Sequence, residues 1–184
     1  MNLIGLSGKK HSGKSTVAQY LTRNKHYTEK AFANPLKRGI IEWFGIPDSS
    51  LFGSEEDKNT IIPNWGVSGR QLMQVIGTDV CRDYLPTLLP SVYDIWIRRM
   101  ENDLKESSSD SIVISDCRFK DEIDLIKRLG GIVIRVERPT LTLIDSHSSE
   151  TQVLETNYTI HNTGTVLELY TQVDSILSGR FSRS

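Results

Sequence analysis

The stretch Gly8-Lys9-Lys10-His11-Ser12-Gly13-Lys14-Ser15 limits what this chain can fold into more than any other part of it. It follows a short apolar run, Leu3-Ile4-Gly5-Leu6, and opens an amphipathic segment, Lys14 to Thr22, with Val17, Ala18 and Leu21 on one face. That order reads as a buried strand, a tight loop and a helix. The two glycines let the main chain curl around a polyphosphate with successive N–H groups pointing inward. Gly13 then permits entry into a helix whose positive end faces the anion. Lys14 can reach the β- and γ-phosphates, and the Ser15 hydroxyl can ligate Mg²⁺. Gly8, Lys10, His11, Ser12, Gly13, Lys14, Ser15 and Thr16 are therefore the candidate ATP-binding residues. By chance the pattern would arise in under roughly 1% of chains of this length.

The rest of the chain alternates short β-rich runs with helical patterns, the mark of a parallel sheet flanked by helices. Tyr27 to Phe32 reads as a weak second strand, Ile112 to Ile114 as a buried one, and Ile132 to Val136 and Tyr158 to His161 as the last two. Asn34-Pro35 is expected to open a helix that Gly45 ends, with Asn34 as its cap. Ser68 should cap a helix through Val75, and Ser91 another through about Glu106. Lys120 to Leu129 and Val166 to Leu177 complete the helices, and the tail from Gly179 should fray. The expected fold class is α/β, with a mainly parallel five-stranded sheet in a three-layer sandwich. Residues 1–184 form a single domain in this reading. Residues 46–67, rich in Pro, Gly, Ser and charge, form a surface insertion, and a lid lies around 138–155.

Charge narrows the function classes. Lys+Arg 22 against Asp+Glu 23 leaves a net −1, where a general nucleic-acid binder would carry a basic excess. No stretch approaches the roughly 18 apolar residues that span a bilayer. Cys81 and Cys117 lack metal or redox spacing and read as free thiols of a reducing compartment. The expectation is a cytoplasmic protein with no nucleic-acid or membrane partner.

A nucleotide cradle of this kind needs an acid to organise its metal. Asp116, expected just past the carboxyl end of the Ile112–Ile114 strand, stands where parallel sheets place their ligands. Ser15 and Asp116 are thus the candidate metal residues, with Arg118 and Glu122 following close behind. No N-K-x-D element marks a regulatory GTPase, and a motor would be longer. What remains is a small kinase acting on a bound small molecule. Lys37, Arg70, Arg98, Arg99 and Arg138 are the unassigned cations that could hold its acceptor.

Taken in order, LSGKKHSGKST, FANPLK, RQLMQVIGTD, Tyr93-Asp94-Ile95-Trp96, ISDCRFKDEID, LGGIVIRVERP, His147-x-Ser149-Glu150 and IHNTG resemble the bacteriophage-type deoxynucleoside monophosphate kinase family, among the P-loop nucleotide kinases. The resemblance implies a P-loop, nucleoside-monophosphate-kinase-like fold. It implies transfer of the ATP γ-phosphoryl to a deoxynucleoside monophosphate with Mg²⁺ as cofactor, giving the diphosphate and ADP. By position it implies that Lys37, Arg70, Gly77, Thr78, Trp96, Asp116, Arg118 and Glu122 face the acceptor nucleotide. Lys14, Asp116, Arg118 and the lid-type Arg138 are the implied catalytic set. It gives His147 and Glu150 no role, leaves a homodimer open, and suggests a viral source and so the host cytoplasm. The DGFPR and DR[YH] elements of adenylate and thymidylate kinases are missing. A kinase of a non-nucleotide phosphate such as phosphomevalonate, or a P-loop NTPase switch or binding module, are the competing readings.

Overall fold

Leu3, Ile4 and Leu6 and the run Ile112-Val113-Ile114 are all fully buried, as strands must be when helices cover both faces of a sheet. A computed structural model describes residues 1–139 and 155–181. It divides the chain into two compact units, Met1–Ala31 with Ser107–Ser184, and Phe32–Glu106. His147, Glu150 and most of the expected lid lie outside the described residues.

The first unit holds β1 (Asn2–Ser7), α1 (Lys14–Lys25) and β2 (Thr28–Lys30). After the second unit the chain returns to it with β5 (Ser111–Cys117), α8 (Lys120–Arg128), β6 (Ile132–Glu137), β7 (Tyr158–His161) and α9 (Val166–Phe181). The five strands run in the order β2-β5-β1-β6-β7, every neighbouring pair parallel. All five carboxyl ends therefore share one edge. Alternation along each strand sorts the core. Ile4, Leu6, Val113, Ile134, Val136 and Ile160 cluster with Val17, Ala18 and Leu21 of α1 and Leu169, Val173 and Leu177 of α9. The opposite face takes α8, whose Ile126 Cδ1 lies 2.4 Å from where a Cβ on Gly5 would stand. The expected α/β sandwich with a parallel five-stranded sheet is what the chain forms.

Two further bonds brace α1 against α9. The Tyr20 hydroxyl donates to Asp174 Oδ2 at 2.7 Å, and Lys25 Nζ lies 2.8 Å from Asp174 Oδ1. Burial alone would raise the Asp174 carboxyl, but the hydrogen bonds from Lys25 and Tyr20 hold it below its ordinary value. The Tyr20 and Tyr170 rings stack beside this contact, 4.0 Å between centroids.

The second unit contains α2 (Ala33–Phe44), α3 (Ser49–Phe52), α4 (Glu55–Asn59), the hairpin of β3 (Ile61–Ile62) and β4 (Val67–Ser68), and α5 (Gly69–Gln74). A π-helical segment, Val75–Tyr84, runs on from α5 into α6 (Leu85–Leu88), and α7 (Ile95–Lys105) closes the unit. Ile40, Ile46, Leu51 and Leu72 form its core, packed by Leu36, Phe44, Ile62 and Val67.

Several expected boundaries move. The first α2 residue is Ala33, not a residue after an Asn34 cap, and Phe32 occupies the cap position. Pro35 still falls among the first N–H positions that have no helical partner, so it costs no bond. Ser68 caps α5 as expected, in a reciprocal box with Gln71, but the helical path does not stop at Val75. Ser91 caps nothing: Pro90–Val92 is a separate 3₁₀ turn, and α7 starts behind Asp94, whose carboxylate pairs with Arg98 at 2.8 Å. Residues 46–67, expected as a surface insertion, carry regular structure. They hold two short helices and a hairpin, and Leu51 is completely buried among them. Local composition hid this because four- and five-residue helices are too short to show a period. The closing helix also runs four residues past Leu177, through the Gly179 that was expected to fray.

Candidate active site

β1 ends at Ser7, and the loop that follows is built on positive φ angles at Gly8 (137°), His11 (60°) and Gly13 (112°). At Gly8 an added Cβ would sit 2.3 Å from the Val136 carbonyl oxygen, so the loop lies hard against the β6 backbone. Within it the Ser12 N–H donates to Lys9 O at 3.2 Å. Lys14 Nζ folds back to donate to Gly8 O at 2.6 Å and Lys9 O at 2.7 Å, which closes the loop into a ring around its own ammonium. Gly13 caps α1 with no side-chain hydrogen bond, and the first turn of α1 carries no acidic residue. The positive end of this twelve-residue helix is therefore left for an external anion.

The neighbouring strand adds the acid. Gly5 of β1 pairs with Ile114 of β5, but Ser7 pairs with Cys117, so β5 carries one residue more than β1 over this interval. The extra residue makes a bulge at Ser115-Asp116, a device that re-aims side chains near active sites. Asp116 was expected beyond the strand; it lies inside β5, next to its last residue. It stands beside the end of β1 that opens the phosphate loop. Burial pushes the Cys117 thiol well above its ordinary value, and the Glu122 and Asp116 charges push the same way. That thiol is inert packing.

Arg118 is exposed, while its backbone N–H donates to Glu122 Oε2 at 2.7 Å and that of Phe119 does so at 3.1 Å. Glu122 is only 3% exposed. Its carboxylate thereby fixes the turn from β5 into α8 that carries Arg118. Arg138 is exposed one residue beyond β6.

The acceptor residues expected from the second unit fall in two places, Lys37 and Arg70 against α3 and α4, and Gly77, Thr78 and Trp96 at the π-helical segment. Lys37 of α2 lies over the Phe52 ring, 4.7 Å from its centroid. Arg70 of α5 donates from Nε to Asn59 Oδ1 at 2.8 Å and from Nη2 to Glu55 Oε2. Both cations thus rest on α3 and α4, within the stretch expected to form a surface insertion. Trp96 of α7 donates its indole N–H to the Gly77 carbonyl at 3.0 Å, within the π-helical segment, a feature frequent at functional sites. A Cβ on Gly77 would stand 2.5 Å from Leu36 Cδ2, so the α2 side chain packs directly onto this glycine. Thr78 is half-buried beside it. Phe52, Glu55 and Asn59 were not expected to bear on the site. Their only trace in the sequence is the Ser54–Asp57 capping box that starts α4.

The model of the deoxynucleotide monophosphate kinase family matches residues 48–173. This chain belongs to that family. A relative from Acanthamoeba polyphaga mimivirus carrying the same kinase name is 36% identical over 187 residues, covering 95% of each chain. The deoxynucleotide monophosphate kinase of Enterobacteria phage T4 is 27% identical over 246 residues, covering 96% of this chain and 99% of that one. Among solved structures, TT1252 from Thermus thermophilus superposes with a TM-score of 0.54 at 19% identity, over 97% of each chain. Dephospho-CoA kinase from Campylobacter jejuni gives 0.52 at 11%, over 97% of this chain and 98% of that one. These likenesses confirm the fold. The kinase is a phosphotransferase that acts on a nucleotide, and among the described residues no helix is long and apolar enough to cross a membrane.

Proposed function

We propose that this kinase transfers the γ-phosphoryl of ATP to a deoxynucleoside monophosphate, releasing ADP and the deoxynucleoside diphosphate. The observation that carries this is the loop of residues 8–15. It has three positive-φ residues, its lysine drawn inward, and behind it a helix end with neither cap nor acid. Residues 8 and 10–16 bind the donor phosphates. Lys37, Arg70, Gly77, Thr78, Trp96, Asp116, Arg118 and Glu122 serve the acceptor, Arg70 with a fork suited to a phosphate and Trp96 with an aromatic ring of the kind that stacks on a base.

An acceptor phosphate is already ionised near neutral pH, so the reaction needs no strong base. Catalysis is positioning and charge neutralisation. Lys14 leaves its loop carbonyls for the donor phosphates, and Arg118 and Arg138 meet the charge on the transferring group. The residues present suit Mg²⁺. Among the described residues no group of three or more His, Cys, Asp or Glu could hold a metal, and Mg²⁺ in kinases needs only one or two protein oxygens besides phosphates and water. Ser15 in the first turn of α1 and Asp116 in the β5 bulge are those oxygens. Held there, the ion would supply positive charge to neutralise the phosphates during transfer.

The deciding assay offers dNMPs, NMPs and phosphomevalonate to the protein with ATP·Mg²⁺ and scores ADP and the new diphosphate. Turnover of dNMPs that chelation of Mg²⁺ abolishes is the expected result. Acceptor-independent ATP hydrolysis, or transfer to phosphomevalonate alone, would refute the reading.

A further inference from the structure

The IHNTG turn after β7 places Asn162 against the phosphate loop, 150 residues away in sequence. Its Nδ2 donates to the Ser12 carbonyl at 2.9 Å, and its own backbone N–H donates to Glu137 O at the end of β6 at 2.7 Å. A Cβ added to Gly13 would meet Asn162 Nδ2 at 2.6 Å, so the amide fills the space that the missing side chain leaves. His161, the preceding residue, is held on both sides by Gln172 of α9. Gln172 Oε1 accepts from its N–H at 2.9 Å, and Gln172 Nε2 donates to its carbonyl at 3.0 Å. The turn carrying Asn162 is thus tied to the sheet and to a helix before it reaches the loop.

We infer that Asn162 is a positioning residue for phosphoryl transfer, one that sets the Ser12–Gly13 peptide so that the Gly13 N–H faces the donor phosphates. The reason is peptide planarity. In a trans peptide the C=O and N–H point in opposite directions, so pinning the Ser12 oxygen toward Asn162 turns the Gly13 N–H the other way. Gly13, at φ 112°, has no Cβ to hold that plane by sterics, and a flexible glycine needs an external restraint. Only a donor can do this. The reversed amide would set Oδ1 against the Ser12 oxygen, two acceptors facing each other. A carbonyl pinned in this way fixes the direction of the Gly13 N–H in advance, so no reorientation is needed at the moment of transfer.

This inference rests on the assignment of residues 8–16 to ATP. The test compares Asn162→Asp, which keeps the shape and removes the donor, and Asn162→Ala with wild type and Lys14→Ala. The expected result is a rise in KM for ATP of at least about tenfold in both Asn162 variants, with KM for the dNMP unchanged. A merely structural loss would change the folded fraction and not separate the two constants. In the wild-type protein, one Asn162 Nδ2 proton should exchange slowly with solvent both with and without ATP. Should the variants fail to fold, this measurement stands alone. KM for ATP within twofold of wild type in folded Asn162→Asp, or two fast-exchanging Nδ2 protons with ATP bound, overturns the inference. If Lys14→Ala itself transfers phosphoryl normally, it is the ATP assignment that fails.

Discussion

Adding one methyl group at Gly8 tests whether the phosphate loop works through its main-chain geometry. Two costs follow from the structure. At φ 137° an alanine stands outside even the small left-handed region open to side chains, a strain of about 1–3 kcal/mol. Its Cβ would also be 2.3 Å from the Val136 carbonyl oxygen, a contact with backbone that no rotamer change relieves. The loop must therefore lift from β6 by most of an ångström, which carries its N–H groups away from the donor phosphates. Misplacement by about 1 Å can cost about 100-fold. Gly130 is the matched control, because its φ of 74° is also positive but nothing lies within 4 Å of its Cβ position. Gly130→Ala should lower Tm by about 2–4 °C, the effect of about 1 kcal/mol in a chain of this size, and leave KM for ATP alone. Gly8→Ala should raise that KM by about 10–100-fold as well as lower Tm. Steady-state kinetics and thermal melts on both variants decide the matter. A Gly8→Ala enzyme with wild-type KM for ATP refutes the argument.

Three other outcomes are expected. Arg118→Ala should lower kcat by at least about two decades with little change in KM for ATP, and near-normal turnover would remove Arg118 from the catalytic set. Arg70→Lys loses the fork that reaches Asn59 and Glu55 together, so KM for the dNMP should rise about tenfold at saturating ATP; no change would mean the cation serves only its own unit. The Asp174 carboxyl is held below its ordinary value in the fold, so its stabilisation is present above about pH 4 and disappears as pH falls through the lowered value. Asp174→Asn should accordingly cost at most about 3 °C in Tm near neutral pH, since a pair this exposed contributes under about 1 kcal/mol. The gap from wild type should close in acid, and thermal melts showing an equal gap at about pH 2 would rule out an electrostatic origin.

The five strands of the parallel sheet were legible to within three residues, because its central strands carry short runs rich in Val, Ile and Leu. The phosphate loop was legible for a related reason: its chemistry is local, and glycines, lysine and serine must occur at fixed spacing. The β5 bulge was not visible, because Ser115-Asp116 reads equally well as the end of the strand and only pairing with β1 reveals the added residue. Nor could the capping bonds of Glu122 be read, because an acid in the first turn of a helix looks the same whether or not it accepts from two backbone N–H groups.

The sequence by itself determined the parallel sheet, the glycine- and lysine-bearing loop after β1 proposed to hold ATP, and the cations and carboxylates available to a phosphotransferase. Each of these depends on residue type and near-neighbour spacing. Tertiary structure decided which of those groups are held, and by what: Arg70 by Glu55 and Asn59, Lys37 by Phe52, the Ser12 carbonyl by Asn162. Such pairings join residues 11 to 150 positions apart, and a hydrogen bond with a range of about 3 Å leaves no periodic trace along the chain that closes it.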